Sequence, residues 1–95
     1  MNFKEQNYSV KTFKILSNAN RLLILNLIAT QKEPLTVNAI ADKLSLELTN
    51  TSNHLIKLKE NGMLKASQKA SNMYYTIKDY RVVEFLELAK KLASQ

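Results

Sequence analysis

The chain has 95 residues, of which 45% are hydrophobic and 23% are charged, and its formal net charge is +6 at pH 7. These values fit one globular domain and exclude a disordered tail, and the basic balance suits a polyanionic partner. The absence of cysteine excludes disulfides and thiolate metal sites, and without a long apolar run or a signal-peptide pattern we expect a cytoplasmic protein and no membrane span.

The N-terminal half predicts three helices. The first runs from about Tyr8 to Leu16, and the second follows Asn18, a residue type preferred as N-cap. This second helix, RLLILNLIAT, is apolar almost all round, which is typical of the buried centre of a domain. Pro34 interrupts the pattern, and a third helix covers about Thr36 to Leu44, with Thr36 as its N-cap.

A fourth helix is predicted from about Leu48 to Asn61, after a short turn at residues 45–47. Its inward stripe is formed by Thr51, Leu55 and Leu58. Gly62, the single glycine of the chain, stands where a left-handed residue ends a helix. The third and fourth helices therefore form a helix-turn-helix unit.

Two strands and a last helix complete the chain. The strands are predicted at Leu64–Lys69 and Met73–Ile77 around a turn at residues 70–72, and the helix at about Asp79–Ala93. Tyr74 and Tyr75 are neighbours on one strand and must point to opposite faces. The predicted fold is mainly α with a small β-hairpin wing: a winged helix-turn-helix of about five helices and two antiparallel strands, as one domain over residues 1–95.

The fourth helix carries short polar side chains off its apolar stripe, as a helix that reads base edges in a DNA major groove requires. Asparagine pairs well with adenine, and this helix has no arginine to read guanine, so a modest preference for A·T-rich half-sites is expected. The interval from Leu55 to Arg81 holds +4 of the net charge of +6. The candidate DNA-binding residues are Thr49, Asn50, Ser52, Asn53, His54, Lys57 and Lys59 on the helix, and Lys65 and Lys69 in the wing.

His54 is the one histidine, and it borders the inward stripe. A structural hydrogen bond is the favoured interpretation, a phosphate or base contact is second, and metal ligation is the least favoured because zinc needs three or four converging ligands.

The last helix has a wider apolar face than a terminal helix of a small monomer needs. One alternative is that this face packs on its own domain. We favour a homodimer surface, because exposed apolar patches usually mark interfaces. The candidate dimer residues are Phe13, Leu16, Val82, Phe85, Leu86, Ala89 and Leu92.

The segment LTVNAIADKLSLELTNTSNHLIKLKENGML resembles the ArsR/SmtB family of bacterial winged-helix repressors. The upstream FKILSNANRLLILNLI and the downstream MYYTI are similar to that family's second-helix entry and second wing strand, so the match covers about Phe13 to Ile77. This resemblance implies a homodimeric repressor of a palindromic operator, with groove contacts at Leu48, Thr49, Asn50, Ser52, Asn53 and His54.

The chain departs from the family pattern at two places. Glu47 stands at the start of the fourth helix, where it is expected to be a poor N-cap and an anion close to phosphate. Thr36 and Asn38 replace the cysteine pair of the family's metal site, and Asp79 alone remains of its last-helix ligands. The resemblance is therefore to the non-metal-sensing members, with no metal and no cofactor expected.

The sequence bears on three function classes. We favour a sequence-specific DNA-binding transcriptional regulator, a repressor that acts through helix 48–61 and the wing at 64–77. The alternative is a winged-helix module for protein interaction with weak or no specific DNA binding, which Glu47 and Leu48 on the reading helix keep open. An enzyme is not expected, because the sequence has no phosphate-binding glycine loop and no recognisable catalytic constellation.

Overall fold

The computed structural model describes the backbone of residues 3–94 and the side chains of residues 10–94. The mainly α winged helix-turn-helix prediction is confirmed. No helix in this part of the chain is long and apolar enough to cross a bilayer. The elements are α1 (Phe3–Leu16), α2 (Ala19–Thr30), β1 (Leu35–Thr36), α3 (Val37–Leu44), α4 (Leu48–Glu60), β2 (Leu64–Lys69), β3 (Asn72–Ile77) and α5 (Arg81–Ala93).

Three features differ from the prediction. Helix α1 begins at Phe3 rather than near Tyr8, and a third strand, β1, was not predicted. Strand β3 begins at Asn72 rather than Met73, which leaves two residues in the hairpin turn instead of three. The three strands are antiparallel in the order β1-β3-β2, with Leu35 opposite Tyr75 at the short edge. A two-residue strand is too short to show an alternating pattern, so only the pairing with β3 reveals it.

Helices α2 and α3 begin after the N-cap residues that the sequence predicted. The side chain of Asn18 accepts the Arg21 backbone N–H at 3.1 Å, and the hydroxyl of Thr36 accepts the Ala39 N–H at 3.2 Å. Both residues thus cap amide groups that have no partner within their own helices.

The ends of α3 and α4 share one geometry, the Schellman motif. After α3, Ser45 adopts a left-handed φ of 55°, and the N–H of Leu46 donates to the Ala41 carbonyl at 2.9 Å. After α4, Gly62 has a φ of +78°, and the Met63 N–H donates to the Leu58 carbonyl at 3.0 Å. These two reversals set the directions in which the chain enters and leaves the α4 helix.

The core surrounds α2 and the inner stripe of α4. Thr51, Leu55 and Leu58 have no exposed surface, and the Thr51 hydroxyl donates to the Glu47 carbonyl at 2.9 Å. Because three successive turns of α4 are held in the core, its opposite side must face solvent. The other buried apolar residues come from every element: Ile15, Leu16, Ile24, Leu25, Ile28, Leu35, Ile40, Ala41, Met63, Leu64, Tyr75, Ile77, Val82 and Leu86.

The wing is the β2–β3 hairpin. Lys69 pairs with Asn72, so the connecting loop has two residues, Ala70 and Ser71. Ala70 has a positive φ of 56°, the pattern of a type II′ turn. Tyr75 is buried and Tyr74 is half-buried, which confirms that the two tyrosines point to opposite faces.

Candidate nucleic-acid interface

Four exposed residues of α4 form a line directly opposite its buried stripe, and the last of them is Glu60. Thr49, Asn53 and Ile56 are spaced i, i+4 and i+7, which places them on one side of a helix with 3.6 residues per turn. We call these three residues the outer stripe. Asn50 and Lys57 are exposed beside it. The structure thus exposes most of the sequence-predicted candidates on α4, whereas Ser52 and His54 are half-buried.

Glu47 caps α4, so the expectation that it is a poor N-cap is wrong. Its carboxylate accepts the backbone N–H of Thr49 at 2.6 Å and that of Asn50 at 3.1 Å. The pKa of Glu47 is lowered, chiefly because the Thr49 N–H donates to the ionised form. The side chain is long enough to fold back over the helix start, where the positive end of the helix dipole favours an anion. The negative charge of Glu47 is thus already stabilised by hydrogen-bond donors of the protein.

Arg21 connects three elements near His54. Its Nε donates to the Ile15 carbonyl in the last turn of α1 at 2.5 Å, and its Nη1 lies 3.5 Å from the Nδ1 of His54 on α4. Both side chains are half-buried. This contact requires a neutral imidazole with a free Nδ1 lone pair. Arg21 thus supplies the hydrogen-bond partner that the favoured interpretation of His54 requires, and a phosphate or base contact of His54 stays a prediction.

The environment of His54 keeps it uncharged. Its pKa is lowered by burial, and further by the positive charges of Arg21 and Lys57. Protonation would remove the lone pair that faces Arg21 and place a third cation between two others.

Exposed lysines border the outer stripe and continue onto the wing. Lys57 and Lys59 lie in the last turns of α4, and Lys65 and Lys69 point to one side of β2 because strand residues alternate between faces. The ion pairs found within residues 10–94 involve other cations, Arg81 with Asp79 and Lys90 with Glu87. These four lysines therefore present their charge to solvent.

Arg81 does not add to that basic surface. Its guanidinium lies 2.6 Å from the Asp79 carboxylate, and this contact lowers the pKa of Asp79 to about 2. The two charges cancel locally, so the positive field of the interval from Leu55 to Arg81 originates from its lysines.

The candidate dimer residues divide into buried, half-buried and exposed ones. Leu16, Val82 and Leu86 are buried in the protomer core and can lose little further surface in an assembly. Phe85 is half-buried, with its ring centroid 6.3 Å from that of Phe13 in an edge-to-face contact. Phe13, Ala89 and Leu92 are exposed.

Sequence reasoning missed an exposed residue on each surface. Leu88 is 57% exposed on α5, at spacings of three and four from Phe85 and Leu92 that would have revealed it. Ile56 was missed because the search for a reading face considered polar side chains alone. Val10, Phe13, Phe85, Leu88 and Leu92 together form what we call the exposed apolar face.

Among the residues that the structure describes, no three His, Cys, Asp or Glu side chains are grouped so that they could hold a metal ion. The absence of a metal site stays a prediction.

Comparisons with known proteins also find helix-turn-helix proteins and transcriptional regulators. A family model described as a helix-turn-helix domain matches residues 16–65. The cadmium resistance transcriptional regulatory protein CadC of Listeria innocua is 36% identical over 76 residues, which are 80% of this chain but 63% of the relative, so the chain spans less than two thirds of that protein. An uncharacterised HTH-type transcriptional regulator of Methanocaldococcus jannaschii is 33% identical over 84 residues, 88% of this chain and 93% of the relative.

Two solved structures extend the likeness to the wing and α5. The crystal structure of the AntR antimony-specific transcriptional repressor has a TM-score of 0.86 and 30% identity, and it covers 98% of this chain and 83% of that chain. The homodimeric winged helix-turn-helix DNA-binding domain of a possible ArsR-family regulator from Mycobacterium bovis has a TM-score of 0.83 and 30% identity, with coverage of 96% and 82%.

Proposed function

Because the chain belongs to the ArsR/SmtB-type winged helix-turn-helix transcriptional regulators, we propose that it is a sequence-specific DNA-binding repressor that acts as a homodimer on a palindromic operator. Helix α4 enters the major groove and the β2–β3 wing lies along the adjacent backbone. We also place it in the cytoplasm, with the DNA that it regulates. The observation that carries the proposal is that the outer stripe of α4 is exposed and bordered by lysines, while the opposite side of the same helix is buried in the core.

The lysines supply affinity. Lys57 and Lys59 flank the reading surface, and Lys65 and Lys69 extend it along the wing. Neutralising phosphates releases condensed counterions, which makes such binding strongly dependent on salt. These contacts position the protein on the duplex without reading its sequence.

Asn53 and Thr49 supply specificity. Asn53 is exposed in the middle of the outer stripe, and an asparagine amide pairs with N6 and N7 of adenine in the major groove. Thr49 bonds to base edges or contacts a thymine methyl group. The described part of α4 has no arginine, so guanine lacks its commonest partner on this helix.

The decisive experiment is selection of duplexes from a random pool by the purified protein. We expect enrichment of a two-fold symmetric, A·T-rich sequence with half-site centres about 10 base pairs apart, or a multiple of that spacing. For a dimer that contacts roughly 6–10 phosphates, the affinity for the enriched duplex should fall by about 10³–10⁵-fold between about 50 and 200 mM salt.

Substitutions separate positioning from readout. Lys57→Ala and Lys65→Ala should weaken binding to all duplexes equally and reduce the salt dependence, whereas Asn53→Ala should change the preferred sequence. Lys91→Ala, which removes an exposed lysine from α5, is the matched control and should leave both properties unchanged. If the α4 and wing variants behave like this control, the interface assignment is wrong.

A second candidate is a module that binds another protein through α4. Leu48, which is 49% exposed at the start of this helix, favours it. Such an apolar interface would respond little to salt and would enrich no duplex, so the selection experiment decides between the two functions.

A further inference from the structure

Ile56 is an apolar side chain in the middle of a surface that is otherwise polar. It is 44% exposed and follows Asn53 by three residues and Thr49 by seven. A single exposed isoleucine is common in proteins and by itself signifies nothing. The position of Ile56, in line with the two candidate base-reading residues, is what makes it informative.

Core packing does not account for Ile56. The side of α4 that faces the core is filled by Thr51, Leu55 and Leu58, none of which has exposed surface. Ile56 projects from the opposite side of the same helix, beside the exposed Lys57. Its apolar surface therefore remains available to whatever occupies the outer stripe.

We propose that Ile56 is a specificity-determining residue that contacts the C5-methyl group of a thymine, an inference that rests on the proposed function. The thymine methyl is the apolar group that the major-groove edge of a base pair offers. Isoleucine has no donor or acceptor, so against a G·C edge it would remove water from polar base atoms without replacing their hydrogen bonds. The charged neighbours of Ile56 on α4, which are Lys57, Lys59 and Glu60, are net positive and match a polyanion rather than an apolar partner.

With α4 lying along the major groove, as proposed, the rise of the helix limits where this thymine lies. Three residues advance along a helix by about 4.5 Å, whereas successive base pairs are about 3.4 Å apart. The thymine contacted by Ile56 therefore lies one or two base pairs from the adenine read by Asn53. The expected A·T preference therefore includes a defined spacing between the adenine that Asn53 reads and the thymine that Ile56 contacts.

A protein partner is a weaker fit to the same surface. Helices that dock through an apolar side present several anchors at spacings of three, four and seven residues, whereas Ile56 is the one large apolar residue of the outer stripe. The other exposed apolar residue near the helix start, Leu48, lies about 80° away around the helix axis.

The test replaces thymine by deoxyuridine, one position at a time, in the duplex recovered from the random pool. This change removes the methyl group and keeps the base pair. For the wild-type protein we expect a loss of about fourfold in affinity for one critical thymine, and of roughly fifteenfold for the symmetric pair. Ile56→Ala should bind the thymine and deoxyuridine duplexes equally.

Two further variants make the result unambiguous. Leu23→Ala removes a side chain that is similarly exposed, at 48%, from α2 and should retain the wild-type response to deoxyuridine. Ile56→Thr, which stays β-branched and keeps one methyl group, should show an intermediate response and guards against an effect of Ile56→Ala on folding.

The outcomes separate this inference from the proposed function. Equal deoxyuridine penalties in the wild type and Ile56→Ala, on a duplex that both bind, would overturn the thymine contact and leave the repressor function standing. Loss of the deoxyuridine penalty in Leu23→Ala would also overturn it. If the pool yields no enriched duplex, the proposed function fails and this inference fails with it.

Discussion

Glu47 has two opposing effects at the start of the reading helix. Its carboxylate accepts two backbone N–H groups, which stabilises the helix start. It is also a negative charge next to residues proposed to approach phosphates. The two effects can be separated, because serine is a strong N-cap without a charge.

We predict that Glu47→Ala lowers the thermal midpoint of unfolding, while Glu47→Ser keeps it close to that of the wild type. Both variants remove the anion, so Glu47→Ser should bind DNA more tightly than the wild type at low salt. Thermal denaturation and a binding titration at two salt concentrations measure these effects. A wild-type midpoint for Glu47→Ala would show that the cap contributes nothing to stability.

The charge state of His54 affects the contact between α4 and Arg21 of α2. Burial, Arg21 and Lys57 lower its pKa below 6.5 in the folded protein. On acidification the unfolded chain therefore takes up the proton first, and the free energy of unfolding falls as the pH drops from the unfolded pKa to the folded one. Above the unfolded pKa the stability is fully retained.

We predict that His54→Gln removes this dependence on pH. Glutamine keeps a hydrogen-bond acceptor within reach of Arg21 and does not titrate. Urea denaturation between about pH 7.5 and pH 5.5 measures it, in a window above that of Glu47 and Asp79, whose pKa values are also lowered. Parallel curves for the two proteins would contradict the role of His54.

At the scale of elements, two reversals of the chain direction position α4. Two different residue types adopt the same left-handed backbone conformation there. Ser45 before α4 and Gly62 after it both have a positive φ. The left-handed conformation costs an L-residue about 1–2 kcal/mol, and glycine pays nothing. An added Cβ at Gly62 would meet no atom within 4 Å, so conformational strain alone limits this position.

We predict that Ser45→Gly stabilises the protein and Gly62→Ala destabilises it, each by about 1 kcal/mol. Equilibrium unfolding in urea measures both changes. The two substitutions control for each other, because Ser45→Gly removes the strain of a left-handed backbone conformation and Gly62→Ala introduces it. A loss of stability in Ser45→Gly would show that the serine side chain matters more than the backbone strain.

At the scale of the whole molecule, the exposed apolar face lies on α1 and α5, away from the buried stripe that holds α4. A homodimer on a palindromic operator must present its two reading helices about 34 Å apart, one turn of DNA, or a multiple of that spacing. Leu92 is 62% exposed in that face. Burying it against a second copy removes apolar surface that a monomer leaves in water.

We predict that Leu92→Lys converts the proposed homodimer to monomers and weakens binding to the proposed operator at least tenfold, because a lysine at an apolar interface must be desolvated. Analytical ultracentrifugation with a DNA titration measures both effects. Met73→Lys, a substitution on the wing, is the control and should remain dimeric. A wild-type protein that is monomeric while bound to one half-site would refute the homodimer.

By itself the sequence determined the elements whose signals are local. The inward stripe of Thr51, Leu55 and Leu58 follows from helical periodicity, and Asn18 and Gly62 mark helix ends because capping involves neighbouring backbone groups. The hairpin and its two tyrosine faces follow from strand alternation. These features depend on residues a few positions apart, so the chain specifies them without knowledge of the fold.

Only the tertiary structure decided which apolar surface is covered. It buried Leu16, Val82 and Leu86 in the protomer and left Phe13 and Leu92 in solvent, although all five have the same hydrophobic character. It also paired β1 with β3 across about forty residues of chain and brought Arg21 to His54. Burial and long-range pairing depend on what other segments occupy the space, and no local pattern carries that information.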